Sequence, residues 1–338
     1  MASQEVALLE CDAHVEHRSA AADWSSTGAA GLPSLRELVA AELDQPIAPE
    51  VRKMALAVAG RHPGARAVMF YGSCLRETRL DGRMLDFYLI VANYAGAYGR
   101  PWLATANRLL PPNVFPLEQD GLMAKYAVLS EDDFARLCSA ATRSVSVWAR
   151  FAQPSRLAWS ADGSAAERAI AAVTGAAPAL LSAVRSCVSD RIDPLDLWTR
   201  AFELTYAAEL RPERKHRAAS VVEGDPARYR AFAVPALRSA GFEVALDGDL
   251  LVFAAPLTAE ERHQAKREWS RRKREGKLLN VARLAKASAT YTGGLDYLAW
   301  KIARHTGERL DVRPWQRRWP ILGALYHLPG LLARGAVK

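Results

Sequence analysis

The sequence contains only four cysteines in 338 residues, and no two of them lie close together. Zinc sites and the disulfide frameworks of small secreted proteins depend on closely spaced cysteines such as a CxxC pair. We therefore expect neither a zinc site nor a disulfide framework, and the composition favours the reducing cytoplasm. The four cysteines are Cys11, Cys74, Cys138 and Cys187.

Long apolar segments are also lacking. No run of about 18 apolar residues is free of charge, so we expect no helix that spans a bilayer. The N-terminus carries Glu5, Glu10 and Asp12, where a secretory signal would have a basic start and an apolar core. Both features predict a protein that stays inside the cell.

The first 260 residues have no excess of positive charge, because the basic residues are concentrated in residues 261–338. Residues 261–338 contain 18 Lys and Arg but 6 Asp and Glu, a net charge of +12, while the whole chain carries +8. The preceding residues therefore sum to −4. Such segregation indicates a polyanionic partner, either nucleic acid or an anionic membrane.

The periodicity of apolar residues changes along the chain. Residues 1–34, rich in Ala, Ser and Gly, are interpreted as a flexible leader that ends at Ser34, a potential helix N-cap. Helical spacing follows, first from Leu35 to Leu43 and then from Pro49 to Ala59. Three apolar runs of buried-strand length come next, which predicts a small sheet with helices against it. These runs are 66–71, 84–91 and 122–129.

The second half of the chain has mainly helical spacing. Residues 165–212 predict helices, and residues 242–253 predict a β-hairpin around Asp247-Gly248. The fold class we predict is α+β, with a small mixed sheet, a helical and winged-helix-like second domain, and a basic C-terminal helical tail. The expected division of the chain is 1–34, 35–160, 161–260 and 261–338.

Two of the apolar runs carry residues suited to phosphate chemistry. The first run ends at Gly72-Ser73, and the next one bears Asp86. A glycine lets the backbone approach a phosphate, and the serine hydroxyl and nearby amides donate hydrogen bonds to its oxygens. An acid on the neighbouring strand can hold Mg²⁺, which neutralises a triphosphate. This layout is typical of nucleotidyltransferase sites.

Asp86 is open to two interpretations from the pattern alone. A carboxylate inside an apolar strand is costly to bury unless it is paired or bound to metal. Asp86 is therefore either a metal ligand or a strand-edge acid paired with an arginine such as Arg83. The generic superfamily pattern has a second acid two residues later, where this chain has Tyr88.

Tyr71-Gly-Ser followed by Met84-Leu-Asp-Phe resembles the mitochondrial-type phosphatidate cytidylyltransferases, the translocator assembly and maintenance family. Members of that family carry a YGS motif and then a single Asp followed by Phe. Further similar segments occur in matching order over about residues 66–305. They are Asn113-Val-Phe, Lys125-Tyr-Ala-Val, Trp148–Pro154, Leu204–Arg211 and, faintly, Lys286–Leu298.

The resemblance implies a polymerase-β-like nucleotidyltransferase domain that transfers CMP from CTP to phosphatidic acid, giving CDP-diacylglycerol and pyrophosphate. It implies that Gly72 and Ser73 hold phosphate, that Asp86 binds Mg²⁺, and that Glu209 is a second metal ligand. Lys125 would act with Ser73 and Asp86 in catalysis. The expected nucleotide-binding residues are Gly72, Ser73, Lys125, Arg150 and Arg211.

The site residues also have purely structural interpretations, and the sequence departs from the family pattern in places. Lys125 could extend from an edge strand into solvent, and Glu209 with Arg211 could form a surface pair. Gln153 stands where the family has lysine, and a charged loop follows Ser73. The acceptor could therefore be RNA, a protein or a small molecule, or the chain could be a catalytically inactive membrane-binding adaptor.

The basic tail is interleaved with tryptophans, which favours a membrane surface. Each Lys or Arg near an anionic leaflet contributes about 1 kcal/mol, and tryptophan settles at the headgroup level. Nucleic acid is the competing partner, but no known RNA-binding motif occurs. We therefore expect peripheral association with the inner face of a membrane that contains phosphatidic acid or a related anionic lipid. The tryptophans are Trp269, Trp300, Trp315 and Trp319.

Overall fold

The computed structural model describes residues 33–76, 80, 82–209, 217–290 and 313. The leader predicted for residues 1–34 and the last part of the basic tail lie almost wholly outside these ranges. Within them the protein has the predicted α+β class, with a mixed sheet and several helices.

The centre of the molecule is a mixed sheet of five strands. These are β1 (Ala65–Tyr71), β2 (Met84–Val91), β3 (Asn113–Gln119), β4 (Leu122–Ser130) and β5 (Ser155–Ser160). Their order is β3-β4-β2-β1-β5, with β2 and β4 parallel and the other pairs antiparallel. The three predicted apolar runs take the central places, because a central strand is buried on both faces.

Helices cover both faces of this sheet. The first six are α1 (Leu35–Leu43), α2 (Pro49–Gly60), α3 (Tyr94–Ala97), α4 (Pro101–Leu109), α5 (Glu131–Leu137) and α6 (Trp148–Phe151). Six more follow in the residues that the structure describes: α7 (Gly163–Thr174), α8 (Ala176–Val184), α9 (Pro194–Ala208), α10 (Arg217–Glu223), α11 (Pro226–Ser239) and α12 (Ala259–Thr290). The Ser34 cap is confirmed as a capping box, in which the Ser34 amide donates to Glu37 over 2.7 Å.

The two faces of the sheet belong to different cores. Phe87 and Tyr126 pack with α2, α3 and α4 on what we call the aromatic face. Tyr88 and Ala127 pack on the other face with α1 and the helices from α5 onward. Since side chains alternate along a strand, Asp86 and Lys125 belong to this second face, which we call the site face.

A second, three-stranded sheet lies among the later helices. Its strands are β6 (Arg191–Ile192), β7 (Val244–Asp247) and β8 (Leu250–Phe253), in the order β6-β8-β7. The predicted hairpin is confirmed as the antiparallel pair of β7 and β8. One hydrophobic cluster continues from Leu35 in α1 to Trp269 in α12, across the boundary predicted near residue 160.

A buried ion pair joins α1 to α11. Arg228 donates from Nη2 to Glu42 Oε1 over 3.1 Å, and its Nε also bonds the same carboxylate. Both side chains are more than nine-tenths buried. Arg228 also donates to the carbonyl oxygen of Ala152 over 3.1 Å, so the guanidinium connects three parts of the chain. Breaking such a pair leaves an uncompensated buried charge, so it holds α1 against α11.

The basic region begins with α12, a single helix of 32 residues. The prediction that Trp269 contacts a membrane is wrong, because this residue is only 4% exposed and donates from Nε1 to the Ala183 carbonyl over 2.8 Å. Its apolar ring faces the core rather than solvent. Trp300, Trp315 and Trp319 lie outside the described residues.

One described segment has the length and composition of a membrane span. It is Gly163–Cys187, which includes α7 and α8, and half of its most apolar window is buried inside the protein. Core helices of soluble proteins have the same length and composition, so the segment is weak evidence for a span.

Candidate functional site

The end of β1 turns sharply against a carboxylate of β2. Gly72 follows β1 with a positive φ of 96°, and a Cβ at this position would lie 3.0 Å from Asp86 Oδ2. Glycine alone combines this backbone conformation with such a close approach. Ser73 then begins a short 3₁₀ helix, Ser73–Arg76. The structure thus brings together the three residues on which the sequence prediction rests.

Lys125 is the ion-pair partner of Asp86. The two residues are directly opposite each other on the parallel strands β2 and β4, and Lys125 Nζ lies 3.0 Å from Asp86 Oδ1. This contact has the distance of an ion pair without the angles of a hydrogen bond, and Oδ1 has no hydrogen-bond partner. The geometry decides against the arginine partner considered above. Lys125 lies on an inner strand rather than an edge strand.

Tyr88 occupies the place of the second acid and belongs to the core. It is 3% exposed, and its ring centroid lies 5.3 Å from those of both Tyr71 and Phe151. Burial raises the pKa of its hydroxyl above the ordinary value. An acid at this position would be costly to bury, so packing explains the departure from the generic pattern.

Arg150 and Glu209 form a second ion pair on the site face. Arg150 Nη1 lies 3.1 Å from Glu209 Oε1 and also donates to the Ser146 carbonyl. Burial is the largest influence on Arg150 and lowers its pKa, but Glu209 together with Tyr88, Tyr71 and Asp86 outweighs burial and holds the pKa of Arg150 above its usual range. Glu209 is 7% exposed and is therefore buried. Arg211, the remaining predicted phosphate ligand, lies outside the described residues.

The carboxylates fit one kind of metal site better than another. Mg²⁺ in nucleotide enzymes is commonly held by one or two carboxylates together with substrate phosphates and water. Asp86 fits that role better than Glu209, because its side chain is more exposed and its ion pair with Lys125 lacks a hydrogen bond, whereas Glu209 is buried and hydrogen-bonded by Arg150. In the part of the chain that the structure describes, no group of three or more His, Cys, Asp or Glu could hold a metal ion. The residues therefore suit a metal that arrives with a triphosphate.

The basic helix α12 adds two cations that the sequence prediction missed. Arg283 donates to the Pro111 carbonyl over 2.8 Å and to Ser146 Oγ over 2.9 Å, and it lies within electrostatic reach of Arg150 and Glu209. Lys286 donates to the Pro112 carbonyl over 2.8 Å. Burial, reinforced by Arg283, lowers the pKa of Lys286 to about 7.

A glycine lets α12 reach this position. A Cβ on Gly276 would overlap the carbonyl oxygen of Ala208, the last residue of α9. Since Glu209 follows directly, the crossing places α12 beside the Arg150–Glu209 pair. The signal in the sequence is that Arg283 and Lys286 interrupt an apolar stretch, which indicates cations facing protein rather than solvent.

No protein-family model and no curated protein sequence matches the chain.

Proposed function

We propose that the protein is a phosphatidate cytidylyltransferase that acts at the inner face of a membrane. In this proposal the five-stranded sheet is a polymerase-β-like nucleotidyltransferase domain, and residues 161–260, with the elements from α7 to β8, form a winged-helix-like domain. The observation that carries it is the close approach of the Asp86 carboxylate to the turn at Gly72, because a metal–triphosphate complex requires a metal ligand beside backbone amides that can bind phosphate.

The reaction is an in-line displacement at phosphorus. A phosphate oxygen of phosphatidic acid attacks the α-phosphorus of CTP, the bond to the bridging oxygen breaks, and pyrophosphate leaves with the electron pair. Ser73 and the backbone amides after Gly72 donate hydrogen bonds to the triphosphate oxygens. Mg²⁺ held by Asp86 supplies neutralisation of the charge that develops.

The surrounding cations have distinct roles in this proposal. Lys125 exchanges its ion pair with Asp86 for one with the triphosphate, since a charge-assisted hydrogen bond to phosphate replaces the imperfect contact it now makes. Arg150 and Arg283 add positive charge at the same face, and Glu209 keeps Arg150 oriented. Arg211 as a phosphate ligand, and Glu209 as a metal ligand, stay predictions.

The test is the formation of CDP-diacylglycerol from labelled CTP, Mg²⁺ and phosphatidic acid in mixed micelles. We expect the wild type to form this lipid and Asp86→Asn to lose more than about a hundredfold in rate, because the carboxylate that would bind the metal is gone. The control is Asp247→Asn, an exposed aspartate paired with Arg191 on the hairpin. Equal activity of wild type and Asp86→Asn, or no lipid product, would disprove the proposal.

A catalytically inactive membrane-binding adaptor is the second candidate. It is favoured by the single available carboxylate, since Glu209 is held by Arg150 and Tyr88 replaces the second acid. An adaptor would show no rise in melting temperature with CTP and Mg²⁺. A transferase would show such a rise, and Asp86→Asn would reduce it.

A further inference from the structure

A shallow pocket opens on the aromatic face of the sheet, on the other side from Asp86. Its volume is about 490 Å³. The rings of Tyr98, Phe115 and Tyr126 pack around it, with centroids 5.6 to 6.1 Å apart. The exposed residues Arg61 and Arg100 stand at its rim, and no Asp or Glu lines it.

His62 is the polar side chain inside the pocket, and it carries no negative charge that could neutralise these arginines. His62 lies between the Ala97 carbonyl, 3.0 Å from Nδ1, and Tyr126 Oη, 3.1 Å from Nε2. Burial lowers the pKa of His62, which keeps the ring neutral at pH 7. The rim arginines are therefore the charged groups of a pocket with an aromatic floor.

The helix beside the pocket exposes apolar and basic side chains together. Trp102 is 47% exposed and Leu109 is 80% exposed on α4, and Arg108 between them is also exposed. No acidic residue occurs in the sequence between Asp86 and Glu118. Trp102 and Leu109 are seven residues apart and therefore share one face of α4, with Arg108 on an adjoining face. Exposed tryptophan and leucine with arginine nearby are typical of a helix that lies in a membrane interface.

We propose that this surface docks on an anionic membrane, with Trp102 and Leu109 in the interface and a lipid phosphate at Arg61 and Arg100. We call it the α4 surface. Charge complementarity identifies the partner, because a basic rim without carboxylates attracts a negative leaflet and an exposed tryptophan is stabilised at its headgroups. The proposal needs no transferase chemistry, so it stands or falls separately from the proposed function.

Sedimentation of the full-length chain with vesicles tests the proposal. Vesicles of phosphatidylcholine alone are compared with vesicles that also contain phosphatidic acid, at low ionic strength. With about 1 kcal/mol per arginine, Arg61→Ala combined with Arg100→Ala should weaken binding to the anionic vesicles about 25-fold. Trp102→Ala should weaken it several-fold.

Matched variants separate this surface from others on the molecule. Arg191→Ala and Leu246→Ala change an exposed arginine and an exposed leucine near the hairpin, and should leave vesicle binding unchanged. A variant with Ala at Arg267, Arg271 and Arg274 weakens the competing basic face of α12. In that background the losses at Arg61 and Arg100 should persist.

Three outcomes would overturn the proposal. In the first, the α4-surface variants bind anionic vesicles like the wild type, in both backgrounds. In the second, the wild type binds neutral and anionic vesicles equally or binds neither. In the third, the variants keep vesicle binding and lose affinity for an RNA oligonucleotide. A CTP-dependent thermal shift should be unchanged by these variants, so failure here is distinguishable from failure of the cytidylyltransferase proposal.

Discussion

The two faces of the central sheet handle positive charge differently. On the site face the cations Lys125 and Arg150 are held by Asp86 and Glu209. On the aromatic face the pocket has Arg61 and Arg100 at its rim and no carboxylate in its lining. Paired cations must exchange partners to bind an anion, which favours selectivity. Cations without a nearby acid attract any anionic surface over a longer range.

Burial accentuates this difference. Glu209 is 7% exposed, whereas Arg61 and Arg100 are exposed to water and screened by salt. The site face therefore contributes to stability through its charges, and the aromatic face contributes little.

Removing the Glu209 carboxylate should cost the most. Glu209→Ala leaves Arg150 partly buried without its partner, and we expect the free energy of unfolding to fall by about 3 kcal/mol, near the lower end for a broken buried pair because Arg150 keeps some contact with water. Urea denaturation measures the loss. Glu203→Ala, which removes an exposed partner of Arg200 on the same helix, is the control and should change little. Equal losses would remove the contrast between buried and exposed pairs.

Gly72→Ala should have the next largest effect. The substitution combines a positive φ with a clash against Asp86, and we expect a loss of about 2–3 kcal/mol in unfolding free energy. Gly121→Ala is the matched control, since Gly121 also has a positive φ of 78° but nothing within 4 Å of an added Cβ. If the two variants lost the same unfolding free energy, the Asp86 side chain would move away from the added methyl group without destabilising the protein.

Lys286, on the site face, should make the free energy of unfolding increase as the pH rises. Because burial lowers its pKa to about 7 in the folded protein, the penalty for burying the charge is fully present below pH 7. That penalty is relieved as the pH rises toward the unfolded value near 10.5. Relative to Lys286→Met, the wild type should gain about 1 kcal/mol of unfolding free energy between pH 7 and pH 10, after allowance for partial exposure. Parallel pH profiles would show that Lys286 is hydrated.

The effect of His62, on the aromatic face, on the free energy of unfolding should be the smallest. His62 should lower stability at acidic pH. Its pKa is lowered by burial, so the unfolded chain binds the proton first and stability falls as the pH drops through about 6.5. His62→Gln should flatten that decline between pH 7 and pH 5, as followed by urea midpoints. An unchanged decline would place the acid sensitivity elsewhere.

The inner strands could be predicted from the sequence, and the edge strands could not. β1, β2 and β4 read as continuous apolar runs because both of their faces are buried. The edge strand β3 contains Pro116 and the exposed Glu118, and the edge strand β5 contains polar, half-buried positions; the edge tolerates such residues, and they conceal the strand pattern.

The sequence predicted the candidate site only where its residues lie close together in the chain. Gly72 and Asp86 lie at the facing ends of two strands close in sequence, so their contact follows from the pairing of those strands. The pairing of Arg150 with Glu209, and the arrival of Arg283 at the site, depend on how α9 and α12 cross. No residue pattern encodes that crossing directly. The same packing buries Trp269, which the sequence suggested would be exposed.

The ion pair of Glu42 with Arg228 constrains the order in which the chain can assemble. The two residues are 186 positions apart, so Glu42 leaves the ribosome long before its partner exists. At 5–20 residues per second the wait is on the order of 10–40 s. During that time α1 can keep its capping box but has no arginine to dock against. Of the described helices α1 is made first, yet its ion pair with α11 can form only after Arg228 has emerged, so this connection on the side of the sheet bearing Asp86 is completed late in biosynthesis.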